Sequence, residues 1–179
     1  RLLLGALPPR EWRLRISLCT DTLGLGAPVL FLEGMRQFKR KAAMARQQLA
    51  RKLGNRATVM VLVAGRGEFR IYGGRRQLGE ILYQELALSP PQGIRVHDHY
   101  RRISLHDIAG LKPDFIFLTT LNSGSCMEQI RLLKESKIWQ SMDCVRNGRV
   151  FEVECWLNHH APVKHSIAID KALHYLLRA

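Results

Sequence analysis

Apolar runs alternating with segments of helical spacing predict an α/β chain, a largely parallel sheet flanked by helices. Three runs carry the prediction. Residues 58–64 (Thr-Val-Met-Val-Leu-Val-Ala) and 115–118 (Phe-Ile-Phe-Leu) are continuous apolar stretches, the pattern of strands covered on both faces, and 150–153 (Val-Phe-Glu-Val) adds a third. Between and after them, 78–88, 127–135 and 167–177 read as helices.

The elements follow in order. Trp12, Leu14, Ile16 and Leu18 alternate with Arg13, Arg15 and Ser17, the period of a half-buried strand. A short apolar run, 29–32, follows Pro28. Gly24-Leu25-Gly26 lacks the third glycine and the helix start that a phosphate-cradling loop needs, so no nucleotide role is assigned to it. Apolar or small residues at 35, 38, 42, 45, 49 and 53 make one helix face, stopped at Gly54-Asn55. Beyond the Gly65-Arg66-Gly67 turn, 69–72 reads as a second short strand, and the 78–88 helix ends at Ser89-Pro90-Pro91. Ser104-x-x-Asp107 resembles a capping box with Asp in place of Glu, opening a short helix toward Gly110. A polar loop, 119–125, follows the 115–118 strand. There is no internal repeat and no low-complexity segment.

A chain of 179 residues can bury a sizeable core. Lys plus Arg is 28 against 15 for Asp plus Glu, a formal charge of +13, and the pI is about 10.3. That balance favours an anionic partner: nucleic acid, an acidic membrane surface or a polyanionic small ligand. The basic residues are scattered, with local density only at 36–52 and 66–76, so no basic tail is present. Cys19, Cys126, Cys144 and Cys155 contain no Cys-x-x-Cys pair and are too sparse for a disulfide framework, which points to a reducing compartment. No export signal and no apolar run of membrane-spanning length is read.

The last third is the most specific part. Trp139 and a short helical turn lead into Val145-Arg-Asn-Gly-Arg-Val-Phe151, then a strand, a loop bearing Trp156 with His159 and His160, Pro162, and a closing helix. Upstream stand Arg70-Ile-Tyr-Gly73, a helix ending in Leu86-Ala-Leu-Ser-Pro-Pro91, Ser104-Leu105 before Ile108, and Pro113-Asp-Phe-Ile-Phe-Leu118. This order resembles the C-terminal lobe of class III substrate-binding proteins, the siderophore- and cobalamin-type periplasmic family, from about residue 41 to the end. In detail it is most similar to the siderophore-sensing domains of AraC-type transcriptional regulators, relatives of the lipoproteins of iron-uptake ABC importers. The resemblance implies a three-layer α/β lobe with an incomplete first lobe. Residues 1–34 would be a remnant or extension, 35–56 a connecting helix, and 57–179 the substrate-binding lobe. It implies a non-enzymatic ligand-binding domain for a ferric siderophore, with no covalently bound cofactor and the iron already held by its chelator. Partners would be DNA through a separate domain of a regulator, or an ABC permease. The thiols and the lack of a visible export signal favour a cytoplasmic regulator; the alternative is an extracytoplasmic lipoprotein.

In open α/β sheets ligands sit outside the carboxyl ends of the strands, so the loops after Ala64, Leu118 and Val153 are expected to share one edge. They and the strand that follows the first supply the candidate ligand residues Arg66, Arg70, Tyr72, Arg75, Asn122, Trp156, His159 and His160, with Arg76 and Ser123 beside them. A ferric tris-catecholate is a flat-faced trianion, which guanidinium groups neutralise and aromatic faces cover, so the basic-plus-aromatic mixture points to a catecholate. Each arginine also fits a solvated charged turn, and Trp156 and Tyr72 also fit core positions. The histidines, including His97, His99 and His165, have no metal-ligand spacing, and no metal is expected. Ser123-Gly124-Ser125 lacks a nucleophile-elbow frame, and no enzyme is expected. The other functional class the charge allows is a basic nucleic-acid-binding α/β module, without an evident helix-turn-helix.

Overall fold

The structure, a computed structural model, describes residues 27–54, 56–65, 67–121, 124–154 and 162–179. The chain divides into two compact units, Arg1–Arg40 and Lys41–Ala179. The described part of the first is helical from residue 27, with an exposed Arg36–Glu33 pair on its surface. The strand read at 12–18 lies outside the described residues. Helix α1 spans Ala27–Leu53, so the 29–32 run is helical and a helix start does follow Gly26, against expectation. Pro28 stands in the first turn, where no intrahelical N–H is required of it.

The second unit holds a five-stranded sheet: β1 (Val59–Ala64), β2 (Phe69–Tyr72), β3 (Tyr100–Ile103), β4 (Phe115–Thr120) and β5 (Val150–Glu152), in the order β3-β2-β1-β4-β5. The sheet is mixed, and its two halves differ. β1–β4 and β4–β5 pair in parallel, while β1–β2 and β2–β3 pair antiparallel. The three strands read from apolar runs are the parallel half, because covered strands need no polar alternation. β3, Tyr-Arg-Arg-Ile, was not read from the sequence: three of its four residues are exposed and it has no apolar run to announce it.

Helices cover both faces. On one, Met60, Leu62, Ala64, Ile71, Ile103, Ile116 and Leu118 form a single buried cluster with Ile108 of α3 (Leu105–Gly110), Ile130 and Leu133 of α4 (Gly124–Glu135), Trp139 of α5 (Lys137–Ser141) and Cys144 of α6 (Asp143–Arg146). Alternate residues turn to the other face. There Phe117 and Phe151 meet Tyr175 of α7 (Pro162–Arg178), with the Phe151 and Tyr175 rings stacked at 4.9 Å. Ala42, Ala45 and Leu49 bury the α1 stripe, and Lys41 Nζ binds Asp170 Oδ2 at 2.6 Å and Ser166 Oγ at 2.8 Å, tying α1 to α7.

The helix read at 78–88 is shorter and irregular. α2 (Gln77–Gly79) widens into a π-helical segment, Glu80–Glu85, closed by Leu86 N–H donating to Ile81 O at 2.9 Å. Gly79 lets this turn lie against the Gly73 backbone, where a methyl group would overlap the Gly73 carbonyl. The Tyr83 hydroxyl, fully buried, donates to Val59 O at 3.0 Å and anchors the segment to β1. The capping box formed as read: Ser104 is extended (φ −82°, ψ 160°), its Oγ accepts from Asp107 N–H at 3.2 Å and donates to Asp107 Oδ2 at 2.6 Å.

Candidate functional site

The parallel register sets the edge at which loops gather. Ala64 pairs with Thr120 and Leu118 with Glu152, so β1, β4 and β5 end together, as the open-sheet rule requires. Leu121 N–H donates to Ala64 O (3.1 Å) and Val153 N–H to Leu118 O (2.9 Å), stitching the loop starts to one another. β2 enters from this edge: Phe69 lies opposite Ala64 and Arg70 opposite Val63.

Arg70, Tyr72, Tyr100 and Arg102 share one face of the antiparallel β2–β3 pair, Arg70 opposite Arg102 and Tyr72 opposite Tyr100. Glu68, half-buried, joins the two arginines: Arg70 Nε donates to Oε1 at 2.5 Å and Arg102 Nε to Oε2 at 2.8 Å. The Arg70 guanidinium lies 4.9 Å from the Tyr100 ring centre and that of Arg76 5.7 Å, so two cations pack on one aromatic. Tyr72 is the floor of this cluster, 4% exposed. Burial pushes its phenol up, opposed by the positive charges of Arg76 and Arg70, so it stays protonated near neutral pH. Three guanidinium groups answered by one carboxylate leave a net positive surface with aromatic lining, reaching from Arg70 and Arg102 near the carboxyl edge along β2 and β3 to Arg76.

Two of the sequence-derived residues, Arg70 and Tyr72, are thus brought together. Arg75 is exposed in the turn beyond the far end of β2, where its N–H donates to Asp98 O at 3.1 Å; it does not join the cluster. Arg66, Asn122, Ser123, Trp156, His159 and His160 lie outside the described residues. Sequence reasoning missed Tyr100 and Arg102, both on the unread strand β3. The signal for them was weak: a Tyr-Arg-Arg-Ile edge strand differs from a polar loop only through its pairing partner.

Of two further concave places, the first shares Arg102 with this cluster. A groove of about 750 Å³ runs between β3, α3 and α5, lined by Arg101, Ile103, His106, Ala109, Leu111 and Ile138 among others. A smaller one of about 250 Å³ sits at the amino ends of β4 and β5 beside Asp114, Cys144 and Arg149. Burial pushes the Cys144 thiol up to about 11, which makes it a poor nucleophile, and Cys126 is likewise buried and not in a disulfide. Among the described residues no group of three or more His, Cys, Asp or Glu converges, and no helix is long and apolar enough to cross a membrane.

Comparison with known proteins places this geometry. The sequence model described as periplasmic binding protein matches residues 30–154. A curated relative, the iron(3+)-hydroxamate-binding protein YxeB of Bacillus subtilis, is 28% identical over 125 residues, 65% of this chain and 38% of that protein. Among solved structures, the chain resembles a FhuD fold-family periplasmic binding protein component of a Fep/Fec-like ferrichrome ABC transporter from Bacillus subtilis. The TM-score is 0.77 at 19% identity, covering 97% of this chain and 65% of that one. It also resembles the triscatecholate siderophore binding protein FeuA of Bacillus subtilis in complex with ferri-bacillibactin (TM-score 0.72, 17% identity, 82% and 53% covered). A third is FhuD2 of Staphylococcus aureus with bound ferrioxamine B (0.71, 15%, 86% and 60%). The chain spans less than two thirds of the length of each of these proteins. With a family match over well more than half its length and a mixed five-stranded lobe flanked by helices, the chain belongs to the periplasmic binding protein family, with the fold of its class III, siderophore-binding members.

Proposed function

We propose that this chain supplies one lobe of a ferric siderophore receptor and works as the substrate-binding component of an iron-uptake ABC importer. The observation that carries the reading is the cluster of Arg70, Arg76 and Arg102 with Tyr100 and Tyr72, which runs along β2 and β3 from Arg70 and Arg102, near the edge where β1, β4 and β5 end, to Arg76 at the far end of β2. Guanidinium groups bind chelator oxygens by charge-assisted hydrogen bonds, and the 37% exposed Tyr100 ring offers an aromatic surface to the chelating groups, with Tyr72 buried beneath it. Arg66, Asn122 and the Trp156, His159 and His160 loop complete the proposed surface from the carboxyl edge by their place in the sequence, while Arg75 stands apart from it at the far end of β2. The iron is cargo, coordinated by its chelator. The proposal places the protein outside the cytoplasm, with a permease as partner. The sensor of an AraC-type regulator, coupled to DNA through a separate domain, is the alternative setting for the same lobe. Membership of a ligand-binding family favours a small chelate over a nucleic acid as the anion that the charge of +13 serves.

Charge selects the ligand class. Three catecholate dianions on Fe(III) leave a trianion, whereas three hydroxamate monoanions leave a neutral core, and a net basic cluster stabilises the former more. A ferric hydroxamate is the second reading, favoured by the name of the curated relative. The test is a tryptophan-fluorescence titration of the longest native chain with ferric catecholate, ferric hydroxamate and cobalamin. Saturable quenching strongest with the catecholate is expected, with Arg70→Ala plus Arg102→Ala weakening it at least about tenfold through two lost charge-assisted contacts. Selective quenching by hydroxamate, indifferent to both substitutions, would move the ligand class; no response to any of the three would overturn the function.

A further inference from the structure

β3 is the last strand of the sheet, and the phase of its hydrogen bonds is fixed by its neighbour. Gly73 N–H donates to His99 O at 3.1 Å, so in the antiparallel ladder residues 99, 101 and 103 bond toward β2. The N–H and C=O of Tyr100 and Arg102 therefore point away from the sheet, and among the described residues no backbone group meets them. Beside that open edge lies the groove of about 750 Å³, floored by Ile103, Ala109, Leu111 and the 38% exposed Ile138. Its mouth is basic: the side chain of Arg102 is 71% exposed, and Arg101, also exposed, leans back onto Gly93 O at 3.3 Å. Asp107 in the wall is held by Ser104 as a helix cap.

We propose that this edge accepts an extended acidic segment of a partner protein as a sixth strand, with alternating acidic and apolar side chains. Main-chain bonds to Tyr100 and Arg102 hold it, acidic side chains lie on the Arg102 face, and apolar ones enter the Ile103–Ile138 groove. A second copy of this chain is disfavoured there, because β3 against β3 sets Arg101 and Arg102 of one copy beside the same arginines of the other. Edge arginines thus block self-pairing and select an acidic strand. The proposal shares the Arg102 side chain with the siderophore cluster, but its main-chain contacts and the Ile103–Ile138 groove lie outside that cluster.

The probe is a fluorescein-labelled, capped (Glu-Val)4 peptide, read by anisotropy against the whole chain without siderophore. Saturable binding is expected, reduced at least about tenfold when alternate amides of the peptide are N-methylated, since that change removes main-chain donors and leaves charge and side chains intact. Arg101→Glu and, separately, Ile138→Glu should each weaken it as strongly, while the response to ferric catecholate is unchanged. A (Lys-Val)4 peptide should not bind. Equal binding of the N-methylated or the lysine peptide, no binding of (Glu-Val)4, or a dimer mass in solution that the peptide does not dissociate would each overturn the proposal.

Discussion

The two halves of the sheet are built to different rules. β1 and β4 lie between helices on both faces, and every residue of β1 is buried. β2 and β3 turn arginine and tyrosine side chains to one face and leave the outer edge of β3 open. The parallel half concentrates apolar burial and sets the edge where loops meet; the antiparallel half concentrates charge. Apolar burial and charge are thus placed on adjacent strands, so a change in one half should be felt differently from a change in the other.

Breaking the parallel half has the largest expected effect. Leu62, fully buried between β2 and β4 neighbours, should cost about 2–5 kcal/mol of unfolding free energy when truncated to Ala, from lost transfer energy and the cavity left behind. Urea unfolding followed by circular dichroism measures it, and a loss below about 1 kcal/mol would show that this core relaxes around the gap.

Next comes the end of β2. Gly73 has no room for a side chain, because a methyl there overlaps the carbonyl of Asp98. Gly73→Ala should therefore cost about 1–3 kcal/mol by overpacking. It should also loosen the cluster at Tyr100, two residues beyond Asp98. Amide exchange of β2 and β3 rising while β1 and β4 stay protected is the expected pattern, and uniform loss would mean that the two halves unfold as one unit.

The smallest effect sharpens the comparison at the junction of β3 and α3. Ser104→Ala removes the acceptor for Asp107 N–H and should cost about 1 kcal/mol, the usual worth of a helix cap. The Ser104 hydroxyl, donating to Asp107, is also the main cause that holds this carboxyl below its ordinary range. Its contribution is therefore present above the unfolded carboxylate pKa and lost as pH falls through the lower folded value. In Ser104→Ala the acid limb of the stability curve should flatten; an unchanged limb would show that the hydroxyl does not set the Asp107 titration.

How much of this was readable from the chain depended on what kind of signal each residue sends. β1, β4, α1, α4 and α7 were readable because burial on two faces, or on one helical stripe, leaves a periodic apolar record. The cap at Ser104 was readable because its chemistry is local, three residues long. β3 was not, since Tyr-Arg-Arg-Ile becomes a strand only through the partner Phe-Arg-Ile-Tyr some thirty residues earlier. The π-helical turn at Glu80–Glu85 left no mark either, because an i→i+5 bond responds to how the segment packs on Gly73 and Val59.

The sequence by itself determined the α/β class, the covered strands and the basic character, because apolar period and residue type are properties of the chain alone, and the order of its motifs carried the resemblance to the family. Only the tertiary structure decided that the sheet is half antiparallel, that Arg76 joins Arg70 on one tyrosine while Glu68 ties Arg102 to Arg70, and that Arg75 stands apart. Those outcomes turn on strand register, and register is settled by contacts between residues that are distant in the chain, where no local pattern records the choice.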